Sequence, residues 1–273
     1  MNNLNNVVKE SRNVWVDGCF DILHYGHINL LNNAGVFGQD LIVGIHSDEQ
    51  IFENKRYPVF KEHERRETLE SIRGVSKVVV GAPYVTSPEW MERYGCHLCV
   101  HGDDHICCAN GKDPYELVKQ VNRYQEVKRT ETVSTTEIIS RFLFNKKCEK
   151  PCSESHKAMI FRTYRSYIQR PFKQAKFGQN VVYVGGVFEI LHPRLVNYFR
   201  ELKNANNYLI VGIIRDDDVK EINMKFPVLC SYERGLTIMA CKYVDHVLFD
   251  VPRRLTAEIV DLYQVSTVKN RYP

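Results

Sequence analysis

Two tandem α/β domains on parallel sheets, the second degenerate and shortened, are what this sequence predicts. Three observations lead there. Short apolar runs alternate with helix-period segments, the signature of βα units. The pattern then recurs, with VDGCFDILHYGHINLLNNA at 16–34 returning as VGGVFEILHPRLVNYFREL at 184–202. Finally, the polar cluster that closes the first stretch is missing from its repeat.

The repeat is carried by matched residues. Val16, Gly18, Phe20, Ile22, Leu23, His24 and Asn29 recur 168 positions on as Val184, Gly186, Phe188, Ile190, Leu191, His192 and Asn197. Leu41-Ile42-Val43-Gly44-Ile45 recurs unchanged at 209–213, and Glu64-Arg65 returns one residue out of step as Glu233-Arg234. A tandem duplication explains this; chance does not. The first copy reads His24-Tyr25-Gly26-His27 where the second reads His192-Pro193-Arg194-Leu195. The strands keep their apolar residues while the loop loses its polar ones, so the second copy reads as a scaffold.

Within the first copy, strands are expected at Val14–Val16, Leu41–Ile45, Val78–Val80, Leu98–Val100 and Tyr124–Val127. Helices are expected at His27–Asn33, His63–Ile72, Pro88–Tyr94 and Thr135–Phe144. Ser87 is an N-cap ahead of an N1 proline, and Ser134-Thr135-Thr136-Glu137 is a capping box before an apolar stripe. In the second copy, Val181–Val184 and Leu209–Ile213 are the corresponding strands. The boundaries drawn are 1–147 for a catalytic domain, 148–178 for a basic linker with a short helix near 157–168, and 179–273 for the degenerate domain.

Composition narrows the function. Hydrophobic residues make up 44% and charged residues 26%, ordinary for a folded chain, and the net charge is only +4. That balance suits an anionic small molecule and gives no reason to expect nucleic acid as a partner. No apolar run approaches the ~20 residues of a membrane span. Nine scattered cysteines fit a reducing compartment better than a disulfide framework, so the expected location is cytoplasmic.

Ligands of open parallel sheets lie beyond the carboxyl ends of the strands. His24, His46, Tyr84 and His101 all follow predicted strands and are expected to converge there. Gly18 after a strand lets backbone approach a phosphate, and His24 and His27 enter a helix together at its positive end. Lys128 and Arg129 flank a second hydroxyl-rich helix start at Ser134–Thr136, again suited to phosphate. Cys96, Cys99, His101 and His105 offer an alternative zinc spacing. Cys99 falls in an apolar strand, however, where core packing is the better reading. Walker-type and nucleophile-elbow motifs are absent from the sequence.

The combination resembles a known family. His24-Tyr25-Gly26-His27 resembles the HxGH signature of the nucleotidyltransferase superfamily, and Arg129 to Thr136 resembles the RTEGISTT motif of its cytidylyltransferases. Thr132 stands where that motif has glycine. With the tandem layout, the sequence is identified as a member of the ethanolamine-phosphate cytidylyltransferase family, with Rossmann-like nucleotidyltransferase domains. The resemblance implies cytidylyl transfer from CTP to phosphoethanolamine, with Mg2+ accompanying the CTP. Alternatives are phosphocholine or glycerol phosphate as acceptor, or a nucleotide-sensing scaffold.

On that resemblance His24, His27, Lys55 and Arg129 are the catalytic group. Cys19, Phe20, Tyr84, His101, Gly102, Asp103, Ser134, Thr135 and Thr136 join the nucleotide site, and Asp17, Lys55 and Tyr115 the phosphoethanolamine site. No protein-held metal is expected. The second copy lacks HxGH and any counterpart of Arg129–Thr136, so it is expected to be non-catalytic. Its expected role is to pack against the first within the chain, with homodimer formation left open.

Overall fold

In the computed structural model the described residues are 12–104, 107–130, 133–144, 158, 175–204 and 206–269. Most of the basic linker, including its expected helix, lies outside them. The first copy runs β1 (Asn13–Gly18), α1 (Tyr25–Ala34), β2 (Leu41–Ile45), α2 (Asp48–Asn54), α3 (Glu62–Glu70) and β3 (Val75–Val80). It continues with α4 (Pro88–Glu92), β4 (Cys96–Gly102), α5 (Glu116–Gln120), β5 (Tyr124–Val127) and α6 (Thr135–Leu143). Its sheet has the order β3-β2-β1-β4-β5, with every pairing parallel. The order reverses between β1 and β4, so the crevice at their carboxyl ends is the topological switch point.

The second copy contributes β6 (Asn180–Gly186), α7 (Pro193–Leu202), β7 (Asn207–Ile214), α8 (Asp216–Asn223), α9 (Ser231–Met239), β8 (His246–Val251), α10 (Ala257–Tyr263) and β9 (Thr267–Lys269). These strands form a parallel sheet in the order β8-β7-β6-β9, the first four positions of the same plan.

Alternation along β1 sorts its side chains between two layers. Val14 and Val16 face one apolar cluster, while Trp15 faces another with Ile42, Met91, Cys96 and Cys99. The first cluster does not stop at the domain boundary. It runs from Val14, Leu31, Leu69 and Ile72 into Val184, Phe199, Leu236, Ile238 and Cys241 of the second copy.

The contacts between copies are reciprocal. Helix α1 packs on α9 as α3 packs on α7, and Ile72 bridges Cys241 in antiparallel fashion. In the register that matches Arg65 with Arg234, those two residues are each other's equivalents. The Arg73 N–H donates to the Ala240 carbonyl at 2.9 Å, and the Lys242 N–H to the Ser71 carbonyl at 2.8 Å. Their side chains repeat the exchange, Arg73 to the Met239 carbonyl at 3.2 Å and Lys242 to the Glu70 carbonyl at 2.7 Å. Such a self-complementary patch is the hallmark of a two-fold interface.

Both copies also share a buried arginine. Arg65, fully buried, donates to the carbonyls of Phe60, Cys19 and His46 and to Asp48 at 2.7 Å. Arg234 does the same for Leu229, Val187, Ile214 and Asp216. Its presence in the copy without a polar cluster marks this arginine as a scaffold element that ties the loop after the first strand to the loop after the second.

Candidate active site

A cavity of about 440 Å³ opens at the switch point. Its floor is the turn that leaves β1, where Phe20 adopts φ +48°. Phe188, its counterpart in the second copy, has φ +50°. A left-handed conformation at a bulky residue costs roughly 1–3 kcal/mol. Because both copies carry it, the strain belongs to the turn and not to chemistry.

His24 caps α1. Its Nδ1 accepts the Gly26 N–H at 3.1 Å, while His27 Nδ1 accepts the His24 N–H at 3.4 Å. With both Nδ1 lone pairs engaged, each neutral ring carries its proton on Nε2. The rings stack with centroids 3.9 Å apart. Burial, then the neighbouring Lys55 and Arg129 charges, push His27 down to about 3. Burial followed by His27, Arg129 and Arg141 holds His24 well below the usual imidazole range. Two neutral N–H donors therefore face the cavity at neutral pH. Gly26 is required between them, since a Cβ there would sit 2.8 Å from Val133 Cγ1 and 2.9 Å from His24 Cε1.

The opposite wall is the start of α6. Ser134 Oγ accepts the Glu137 N–H at 3.1 Å, and Thr135 Oγ1 donates to the Asp21 carbonyl at 2.9 Å, locking the helix start onto the β1 turn. Asn29 of α1 donates to Thr130 Oγ1 at 2.9 Å. Lys55 and Arg56 enter from the end of α2. Arg56 pairs with Asp21 at 3.0 Å, and the same carboxylate accepts the N–H groups of Val59 and Phe60. In the second copy Glu189 accepts the equivalent N–H groups of Val228 and Leu229, but Met224 stands in place of Lys55.

Most of the expected site residues meet here. Asp17, Cys19, Phe20, His24, His27, Lys55, His101, Gly102, Arg129 and Ser134–Thr136 all line the cavity. Four expected residues do not. His46 is buried, and its Nδ1–H donates to the Ala82 carbonyl at 3.0 Å. Tyr84 is buried beside His46, ring centroids 4.9 Å apart, and its hydroxyl finds no partner among the described residues. Asp103 turns away and accepts the Arg129 N–H at 2.8 Å, leaving Asp104 to line the wall. Tyr115 lies behind Asp17 and donates to its Oδ1 at 2.7 Å. Asp17 also accepts Trp15 Nε1 at 2.7 Å and the Thr86 hydroxyl, both on Oδ2.

Arg56, Lys128 and Thr130 also line the cavity. Arg56 adjoins Lys55 in a dibasic pair just before Pro58, the one signal that pointed to it. Of the zinc alternative, His105 lies outside the described residues, and Cys96 and Cys99 are packed behind the sheet with Trp15 and Met91, as the core reading expects. Burial pushes Cys96 up to about 12 and Cys99 well upward. Among the described residues no group of three potential ligands gathers.

A parallel sheet whose switch-point cavity pairs two histidines at one helix start with hydroxyls and cations at another defines a nucleotidyltransferase of the cytidylyltransferase type. The Cytidylyltransferase-like family matches residues 15–141. An ethanolamine-phosphate cytidylyltransferase of Mus musculus is 33% identical across 93% of this chain and 74% of its own length. Its namesake in Saccharomyces cerevisiae is 37% identical across 87% and 79%. Choline-phosphate cytidylyltransferase A of Rattus norvegicus is 34% identical, but across only 48% of this chain and 36% of its own length. The chain belongs to the ethanolamine-phosphate cytidylyltransferase family.

Proposed function

We propose that the first copy transfers the cytidylyl group of CTP to phosphoethanolamine, giving CDP-ethanolamine and pyrophosphate. The observation that carries this reading is the pair of neutral N–H donors facing Lys55, Arg129 and the start of α6 across one cavity. The acceptor phosphate has a second pKa near ~6, so it is largely a dianion at neutral pH. It needs no general base, and rings that already hold their proton on Nε2 are built to donate. His24 and His27 stabilise charge gathering on the α-phosphate as the acceptor oxygen attacks in line. Arg129 and the Ser134–Thr136 helix start receive the departing pyrophosphate, while Lys55 holds the two reacting phosphates together.

Asp17 supports the choice of acceptor. An ionised carboxylate offers about four lone-pair sites, and three are filled by Trp15, Thr86 and Tyr115. The remaining one borders the cavity and calls for a donor, which a primary ammonium supplies and a trimethylammonium does not. Tyr115 then acts through Asp17 by fixing its orientation.

Magnesium enters this proposal on the nucleotide. The cavity's Asp17 and Asp21 are engaged by protein donors, and Asp104 lies 3.8 Å from both His101 and Arg129. The ion would therefore be held chiefly by triphosphate oxygens, where it offsets phosphate charge. The second copy serves as a non-catalytic partner packed on the first. No helix among the described residues is long and apolar enough to cross a membrane. Seven free cysteines among those residues suit a reducing compartment, and we place the reaction in the cytoplasm.

Pyrophosphate release from CTP, measured in parallel with phosphoethanolamine, phosphocholine and glycerol phosphate, tests the proposal. The expected result is turnover with phosphoethanolamine well above the other two. Release with none of them would leave a nucleotide-binding scaffold.

A further inference from the structure

We infer that the second copy takes part in the reaction by holding the phosphate-facing helix of the first, with Glu233 as the positioning residue. This rests on the reading of the α6 start as the pyrophosphate site. Helix α6 presents Ser134–Thr136 to the cavity, and Ile138 one turn on is fully buried. Its far end has little apolar anchorage, because Phe142, Leu143 and Phe144 are all exposed. What holds that end is Arg141. Its guanidinium leaves the first copy and lies 3.3 Å from the Val228 carbonyl and 3.4 and 3.3 Å from the two Glu233 oxygens. The other nitrogen bonds Glu137 of α6 at 2.7 Å.

Glu233 is 2% exposed and also accepts the Cys230 N–H at 2.8 Å at the start of α9. A buried carboxylate keeps its charge when a cation answers it, and here the cation comes from the catalytic copy. The first copy gives an internal comparison. Glu64 occupies the equivalent position in α3 and accepts the Lys61 N–H at 2.9 Å, yet it is partly exposed. No counterpart of α6 reaches it among the described residues. The seam between the copies is reciprocal at Arg73 and Lys242 but one-sided here. That asymmetry gives the degenerate copy a hand on the active site.

Arg141 lies five residues beyond Thr136, about 7–8 Å along the helix axis. Release of that end lets the helix start swing, and a misplacement of ~1 Å at a reacting centre can cost up to ~10²-fold. The expected effect falls on CTP, whose phosphates meet α6, and not on the acceptor.

The test uses the full chain and four variants: Glu233→Gln, Arg141→Gln, the double variant, and Glu64→Gln as control. Glutamine keeps a carbonyl for the cap and removes only the charge. Each single change at the pair is expected to raise KM for CTP about tenfold, with KM for phosphoethanolamine within about twofold. The double variant should be no worse than the poorer single, as for two residues acting through one contact. Glu64→Gln should leave KM for CTP unchanged. An unaltered KM for CTP in Glu233→Gln, additive effects in the double, or an equal loss in Glu64→Gln would overturn the inference.

Should Glu233→Gln fail to fold, Arg141→Lys decides. It keeps the charge and should recover most of the affinity lost in Arg141→Gln, and no recovery refutes the role. If the unaltered chain itself releases no pyrophosphate, the functional reading fails. If it turns over and the variants match it, only this inference fails.

Discussion

Replacing His27 by leucine, the residue the second copy carries at Leu195, removes one Nε2–H donor and leaves Lys55, Arg129 and His24 in place. Loss of one preorganised donor to a developing oxyanion typically costs ~10²–10³ in rate. Initial rates of pyrophosphate release at saturating CTP and phosphoethanolamine measure this. The same variant reports on burial through its response to acid. His27 titrates near 3 in the folded chain, against an ordinary imidazole value of 6.5. The unfolded chain thus takes up the proton first, and stability is full above 6.5 and lost as pH falls from there toward 3. Between pH 7 and pH 5 the loss is about 2 kcal/mol. That figure is a ceiling, because one face of the ring borders the open cavity. His27→Leu should therefore lose less thermal stability on acidification than the parent, by up to about 4–8 °C. Near-normal turnover would refute the catalytic assignment. An unchanged acid response would refute the buried neutral ring.

Asp17→Asn places an amide N–H₂ among three existing donors, which should cost about 1–3 kcal/mol of stability. It should also raise KM for phosphoethanolamine far more than KM for CTP, and equal rises would assign Asp17 to structure alone. Residues 1–147 expressed alone expose the apolar face that carries Leu69 and Ile72. An exposed patch of more than a few hundred Å² favours association, so aggregation or a markedly lower melting temperature is expected. A soluble truncation with parental melting and turnover would show that the second copy is dispensable.

The strands were the legible part of the fold. Runs such as Leu41–Ile45 are apolar at every position because both faces of a parallel sheet are covered, and they stand out without an alignment. The helices expected in the first copy were found to within a few residues, since Ser134 and Ser87 advertise two of the caps. Helices α2 and α5 were missed, being seven and five residues long and too short for a period to register. At the site, His24 and His27 stood out as two imidazoles at one helix start, and Arg129 as a cation ahead of a hydroxyl-rich one. Tyr84 and Tyr115 lie outside the cavity for a different reason. Tyr84 follows a strand and Tyr115 offers an aromatic face for a cation, but whether a ring enters the cavity or backs it depends on partners such as His46 and Asp17, distant in sequence. Arg65 and Arg234 were visible as a repeated pair, yet only the carbonyls they collect reveal why the pair recurs. Glu233 was visible only as the repeat of Glu64, and nothing local showed its reach across the copies, since its partner Arg141 is 92 residues away.

Joining the two halves in one chain across the seam at Ile72 and Cys241 makes their association independent of dilution. Separate chains meeting at such a patch would part as concentration fell, and each substitution would strike both sides of the seam together. Here each side changes alone. Histidine is kept at 27 while leucine is accepted at 195, and lysine at 55 while methionine stands at 224. On the proposed reading, one half is thereby released from chemistry without unbalancing the pair. With one reacting centre per chain on that reading, a chain acting alone offers CTP no twin site to signal to, so its saturation by CTP should follow a plain hyperbola.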